Sequence, residues 1–357
     1  MTRNRSGEAA MIPAMHTPSL TDPTWLHSFG QGVHAIDTGY GRDAFDAAWL
    51  LIDPHSGRAA FIDTGHNAAV PRLLEALSRL GLSRESVDWV IPTHVHLDHA
   101  GGAGLLMSWL PQARALIHPQ GARHLIDPSA LMAGTRAVYG QERTAALYGE
   151  VLPIAAERVI SSEDGMTIAL GQRQLRLIHT PGHARHHHVV WDADSRSLFS
   201  GDAFGISYPE FDDASGQHWG FPSCTPVQFD PAAMVDSIRR MLALAPEALC
   251  PTHFSRIAPA SAVQRHAQQV LDQIGRLESG AVALVNRPDS ATPDDLTPAL
   301  TGLVETVMLD AACAAGSPLA QHDRDRAREL LANDIGLNAQ GIAVWLSRRL
   351  AQRPSSG

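Results

Sequence analysis

The segment Thr93-His94-Val95-His96-Leu97-Asp98-His99-Ala100-Gly101-Gly102 places three imidazoles and a carboxylate within six residues. Such donors suit Zn²⁺ and also serve Fe or Mn. On an extended chain His94 and His96 point the same way, because side chains alternate with period two. If the chain turns after them, Asp98 and His99 aim at a second point a few ångströms away. One short loop can thereby seed two adjoining metal sites. A chance cluster is the bland alternative, since the chain holds 19 histidines. The Asp-His pair and the glycines that follow weigh against it. Such a loop needs a rigid base, and Val87-Asp88-Trp89-Val90-Ile91 reads as a buried strand that Pro92-Thr93 ends.

The pattern His-x-His-x-Asp-His at 94–99 resembles the signature of the metallo-β-lactamase superfamily. The resemblance implies an α/β fold, an αββα sandwich carrying here a C-terminal helical extension, with further ligands from three later strand ends. Matching positions occur in the expected order: His183 in a Pro-Gly-His triplet, Asp202 in Gly201-Asp202, and His253 in Pro251-Thr252-His253-Phe254. By resemblance, His94, His96 and His183 hold one divalent ion, Asp98, His99 and His253 hold another, and Asp202 bridges the two. The expected cofactor is therefore a pair of divalent metal ions, zinc first, with Fe or Mn as alternatives. A hydroxide held by such a dinuclear centre is a strong nucleophile at neutral pH. Asp98 is the candidate catalytic residue, placed to orient that hydroxide and shuttle its proton to the leaving group. His187 matches a histidine that supports the fold rather than binding metal. Asp63, in Asp63-Thr64-Gly65, matches a residue that supports the metal loops from behind. On its own residues Asp63 reads equally as a cap for the next helix, and both readings stay open. His186 and His188 read as structural, and Cys250 as a buried thiol.

Short strands at 33–36, 47–52 and 59–62, the last two around the turn Asp53-Pro54-His55-Ser56-Gly57, precede a helix at 67–80. That helix carries its stripe at Val70, Leu73, Leu74, Leu77 and Leu80 and closes at Gly81. A short helix at 104–110 and a strand at 114–117 continue the alternation that marks α/β layering. Residues 122–150 read as helical or irregular cover beside the metal loops, shaping a pocket or merely packing on the surface. Strands follow at 159–160, 166–170, 175–178, 189–191 and 197–200. Residues 204–229 form a loop-like wall whose pocket candidates are Tyr208, Trp219 and Phe221. A helix at 230–244 opens with Pro231 in its first turn, and 248–250 is the last strand. Beyond it the chain is helical, with a connector at 289–298. This gives a loose lead-in at 1–30, with Met11 and Met15 as alternative starts, a catalytic part at 31–260 and a helical extension at 261–357.

At 357 residues, 44% hydrophobic and 18% charged, the chain has the composition of a globular protein. A net charge of −9 argues against nucleic acid as a partner. Three cysteines are too few for a disulfide framework. No apolar run suggests a membrane span and no leader is evident, so the cytoplasm is the expected location. The function that follows is a metallohydrolase acting on an ester, thioester or lactone in a small or medium-sized molecule. The segment Phe204-Gly205-Ile206-Ser207 lacks the pattern that hydroxyacylglutathione hydrolases carry there, and Gly205 stands where acyl-homoserine lactonases place a tyrosine. His253 and the helical tail are more similar to glyoxalase-II-like hydrolases. Two other classes remain as alternatives: an iron-dependent oxidoreductase resembling persulfide dioxygenases, and a metal-containing regulator acting through its tail. The tail is also a candidate homodimer surface.

Overall fold

The computed structural model describes residues 23–254, 256–286 and 293–352. The alternative starts at Met11 and Met15, most of the lead-in and residues 289–292 of the connector lie outside the described residues.

Ordered structure begins earlier than the apolar pattern suggested. A 3-10 turn at Pro23–Trp25 buries the indole of Trp25 and leads into β1 (Leu26–Ser28). β2 (Val33–Asp37), β3 (Ala47–Ile52), β4 (Ala59–Ile62), β5 (Val87–Ile91), β6 (Arg114–Ile117) and β7 (Val159–Ser161) complete a seven-stranded sheet in sequential order. Its first four strands pair antiparallel; β4 through β7 run parallel, as helical crossovers require. β8 (Thr167–Leu170), β9 (Arg173–His179), β10 (His188–Asp192), β11 (Ser197–Gly201) and β12 (Ala248–Pro251) form a second sheet in the order β12-β11-β10-β9-β8.

Side-chain alternation assigns the layers. Ala35, Trp49, Leu51, Ala60, Ile62 and Ile91 face the second sheet, where they meet Leu175, Leu177, Val190, Phe199 and Cys250. Their neighbours Ile36, Ala48, Leu50, Phe61 and Val90 face outward onto helices α1 (Val70–Arg79), α2 (Leu97–Ala100), α3 (Ala103–Trp109) and α4 (Pro119–Ile126). The expected cover at 122–150 is helical, formed by the end of α4 with α5 (Ser129–Tyr139) and α6 (Gln141–Tyr148). Met132 and Tyr148 pack there against Leu97 of the ligand loop. The outer face of the second sheet, through Val189, Leu198 and Leu249, packs against α7 (Pro231–Leu242) and α8 (Ala260–Val285). The result is an αββα sandwich.

The tail continues through α9 (Pro293–Ala314), α10 (Pro318–His322), α11 (Arg324–Leu330) and α12 (Ala332–Ala351). The connector is shorter than the sequence suggested, because α9 begins at Pro293 and carries Pro298 inside it. A proline there forfeits one backbone bond, while the same helix buries Leu300, Val304, Val307, Met308 and Leu309. Residues Leu296–Ala314 of α9 are also long and apolar enough to cross a membrane, contrary to the expectation that no run would be. In the fold this stretch packs against α8 and α12. α12 grips the wall at 204–229: Asn338 Oδ1 accepts from the Cys224 amide, and a Cβ on Gly341 would collide with the Cys224 carbonyl.

Candidate metal centre

Strand ends supply each donor. β5 runs out at Ile91, and after Pro92 the extended stretch to His96 keeps His94 and His96 on one side before α2 begins at Leu97. The turn of α2 then carries Asp98 and His99 to a second point. His183 lies between β9 and β10, Asp202 directly follows β11, and His253 follows β12. Gly201 has φ 48°, and a Cβ there would meet His187 Nε2 at 2.7 Å. Only glycine fits the bend that delivers Asp202.

Three imidazole nitrogens converge first. His94 Nε2 is 2.8 Å from His96 Nδ1, and His183 Nε2 lies 3.2 Å and 3.1 Å from those two atoms. Ligand nitrogens about 2.1 Å from a tetrahedral zinc lie roughly 3.4 Å apart, close to this spacing. The second group places His253 Nε2 at 3.5 Å and His99 Nε2 at 3.9 Å from Asp98 Oδ2. Asp202 stands between the groups. Its Oδ1 is 3.3 Å from His99 Nε2 and 3.8 Å from His253 Nε2, while its Oδ2 is 3.6 Å from His183 Nε2.

Hydrogen bonds on the far sides of the rings fix which nitrogen is free. Nδ1 of His183 donates to the Ser223 carbonyl (3.1 Å), that of His253 to the Phe45 carbonyl (3.3 Å), and that of His99 to Asp63 Oδ2 (2.9 Å). In each ring Nε2 is thus the nitrogen turned toward the centre, the orientation typical of metal-bound histidine. His99 Nε2 and Asp202 Oδ1 are buried and make no hydrogen bond. Unpaired polar atoms facing one another in a dry interior are costly unless a cation lies between them. The donor set therefore fits divalent ions.

A sequence profile described as the metallo-beta-lactamase superfamily matches residues 42–253. The chain belongs to this superfamily. A metallo-beta-lactamase fold-containing protein from Sulfurisphaera tokodaii is 26% identical over 199 residues, covering 53% of this chain and 68% of that one. An acyl-coenzyme A thioesterase of Gallus gallus is 32% identical over 195 residues, 50% of this chain and 56% of the thioesterase. A hydroxyacylglutathione hydrolase of Synechococcus is 29% identical over 154 residues, 43% of this chain and 47% of the hydrolase. This chain thus aligns with only about half of the length of either enzyme. Among solved structures, a beta-lactamase domain protein from Burkholderia ambifaria superposes with TM-score 0.58 at 21% identity, covering 93% of this chain and 90% of that one.

In this superfamily member the supporting residues are as telling as the donors. Asp63, wholly buried, accepts from the Thr93 amide (2.6 Å), the Thr93 and Thr252 hydroxyls and His99 Nδ1, tying three donor-bearing segments together. That is the loop-supporting reading, and no cap bond to the following helix is present. His187 joins Thr180 Oγ1 through Nδ1 and accepts from the Asp202 amide through Nε2, so both its nitrogens hold the strand end while its ring stacks on His94. His188 bonds Ser162 Oγ. The pocket candidates Tyr208, Trp219 and Phe221 are all wholly buried and do not line an open pocket. Alternate apolar positions in this loop pack onto the helical tail instead, and Tyr208 reaches Asp334 of α12 with its hydroxyl (3.0 Å). Cys250 is buried, which pushes its thiol up to about 12.

The two donor groups differ in charge. Burial and mutual repulsion hold the imidazoles of His94, His96 and His187 well below their ordinary value. Burial acts the same way on His99 and His253, but the carboxylates of Asp202, Asp63 and Asp98 outweigh it. His99 is raised well above its usual range and His253 to about 9. Burial raises Asp98 and Asp202, and the same imidazoles outweigh it and hold both carboxyls below the ordinary value.

Several residues of the site carried no sequence signal. Asp46 is buried beside Thr38 Oγ1 (2.8 Å), and burial pushes its carboxyl up to about 8 against the pull of His253 and His99. Tyr40 and Tyr148 join hydroxyls at 2.7 Å across 108 residues of sequence.

Proposed function

We propose that the protein is a hydrolase with a dinuclear divalent-metal centre, zinc first, that cleaves an ester-type bond, thioesters foremost, in a small or medium-sized molecule. The observation that carries this reading is Asp202, whose two oxygens each address a different donor group. His94, His96 and His183 would hold one cation and Asp98, His99 and His253 the other. Cations held there would make a water between them acidic at neutral pH and polarise a carbonyl.

The chain's own residues complete the reaction. Asp98 is the carboxylate that substrate can reach: its side chain is 23% exposed, against 4% for Asp202 and none for Asp63. Its Oδ2 is turned toward His253 and His99, which leaves Oδ1 to take the proton from the attacking water and return it to the departing sulfur or oxygen. Tyr40 and Tyr148 flank this side, and burial, reinforced by Asp98, keeps their phenols protonated as hydrogen-bond donors. The thioesterase and hydroxyacylglutathione hydrolase names among the relatives favour a thioester. Three free thiols fit a reducing compartment.

The test is metal analysis combined with ester, thioester and lactone substrates. About two zinc-like equivalents and saturable hydrolysis abolished by a chelator are expected. One iron with oxygen uptake, or bound metal without turnover of any substrate, overturns the reading.

A further inference from the structure

A concavity lies one imidazole away from the three-histidine group. It encloses about 330 Å³ and is lined by Gln120, Arg123 and His124 of α4, Arg185 and His186 of the loop after β9, and Gln228 before α7. In a chain of net charge −9 this lining contains no carboxylate. Neither arginine has a carboxylate partner among the described residues. Arg123 uses only Nε, toward His124 Nε2 (3.3 Å). The Arg185 amide donates to Gln228 Oε1 (2.7 Å), which fixes that side chain and leaves its NH₂ as a further donor. The amides at the start of α4 are already taken by His118, so the positive character comes from side chains. His186 links the cavity to the centre: it lines the cavity while its ring lies 5.6 Å from that of His96 and 6.1 Å from that of His94.

Two guanidinium groups with amide donors between them match an oxyanion that accepts several charge-assisted bonds. Resting on the hydrolase reading, we infer that this cavity binds the phosphate or carboxylate of an anionic acyl carrier whose reacting carbonyl sits at the metal centre. The volume suits a headgroup rather than a whole carrier. The carrier's chain would then pass along His186 to the reaction site.

Metal-loaded full-length protein is titrated calorimetrically with pyrophosphate and, separately, with succinate. The comparison is with R123Q/R185Q and with the charge-reversed R123E/R185E, both changes lying on exposed side chains. The substitutions are expected to weaken anion binding about 10- to 100-fold, the loss expected for one or two charge-assisted bonds. A preference for pyrophosphate assigns the cavity to a phosphate, and one for succinate assigns it to a carboxylate. In kinetics, the KM of a coenzyme A thioester relative to that of the N-acetylcysteamine thioester of the same acyl group should rise by a similar factor. Binding that is undetectable, or equal in wild type and variants, overturns the inference even if thioesters are hydrolysed. If the variants lose anion binding while no substrate is turned over, the cavity stands and the hydrolase reading falls.

Discussion

The two donor groups sit side by side and share Asp202, yet they are electrostatic opposites. His94, His96 and His183 are imidazoles whose basicity burial depresses, so their lone pairs are free at neutral pH. Around His99 and His253, carboxylates reverse the effect of burial, and without metal those rings keep their protons. One half therefore accepts a cation outright, whereas the other must exchange protons for it. Filling order and acid sensitivity should differ between halves that look alike in ligand count.

The most severe disruption of this contrast is Asp202→Ala, because it removes the group common to both halves. Turnover should fall by about three to four orders of magnitude, and metal content should drop below two equivalents. Full loading and near-normal turnover would show that the halves are independent. Asp98→Asn should separate them: about a 100-fold loss of turnover with the three-histidine equivalent retained, as read by steady-state rates and metal analysis on one preparation. Asp63→Asn removes the acceptor of His99 Nδ1, and should weaken the second equivalent about 10- to 100-fold with a smaller effect on the first, measured by chelator competition. Last, affinity for the second equivalent should fall at least tenfold per pH unit below 9, because protons are displaced from both His253 and His99. The first equivalent should show no such slope near neutrality. The sign carries to the metal-free protein: the protonated His253 stabilises it fully below 6.5, and this contribution disappears as pH rises through about 9. Its melting temperature should accordingly decline across that window.

The His94–His99 loop was legible from its residue types and spacing, whereas His183, Asp202 and His253 were legible only through the resemblance, by their order behind successive strands. Asp63 could be read two ways from its neighbours, and only the contacts with Thr93, His99 and Thr252 decide between them. The aromatic wall misled for a related reason. Trp219 and Phe221 look like pocket residues in a polar loop, yet α8 clamps the intervening Gly220 through Gln269 and Gln273, and α12 holds Cys224 further along the loop. Asp46, the Tyr40–Tyr148 pair and the arginine-lined cavity depend wholly on such distant packing. Arg123 and Arg185 belong to different elements, and although Arg185 sits in the histidine-rich run 183–188, nothing in either stretch brings the two together. The αββα layering, by contrast, was implied by the resemblance, and the structure's strand alternation accounts for it.

The clasp between α12 and Cys224 has a consequence for how the protein is made. Cys224 waits for Asn338, which leaves the ribosome 114 residues afterwards. Ser223, whose carbonyl orients His183, adjoins that contact. A nascent chain can therefore assemble both sheets while this corner of the centre remains slack, and competence arrives only with the final helix.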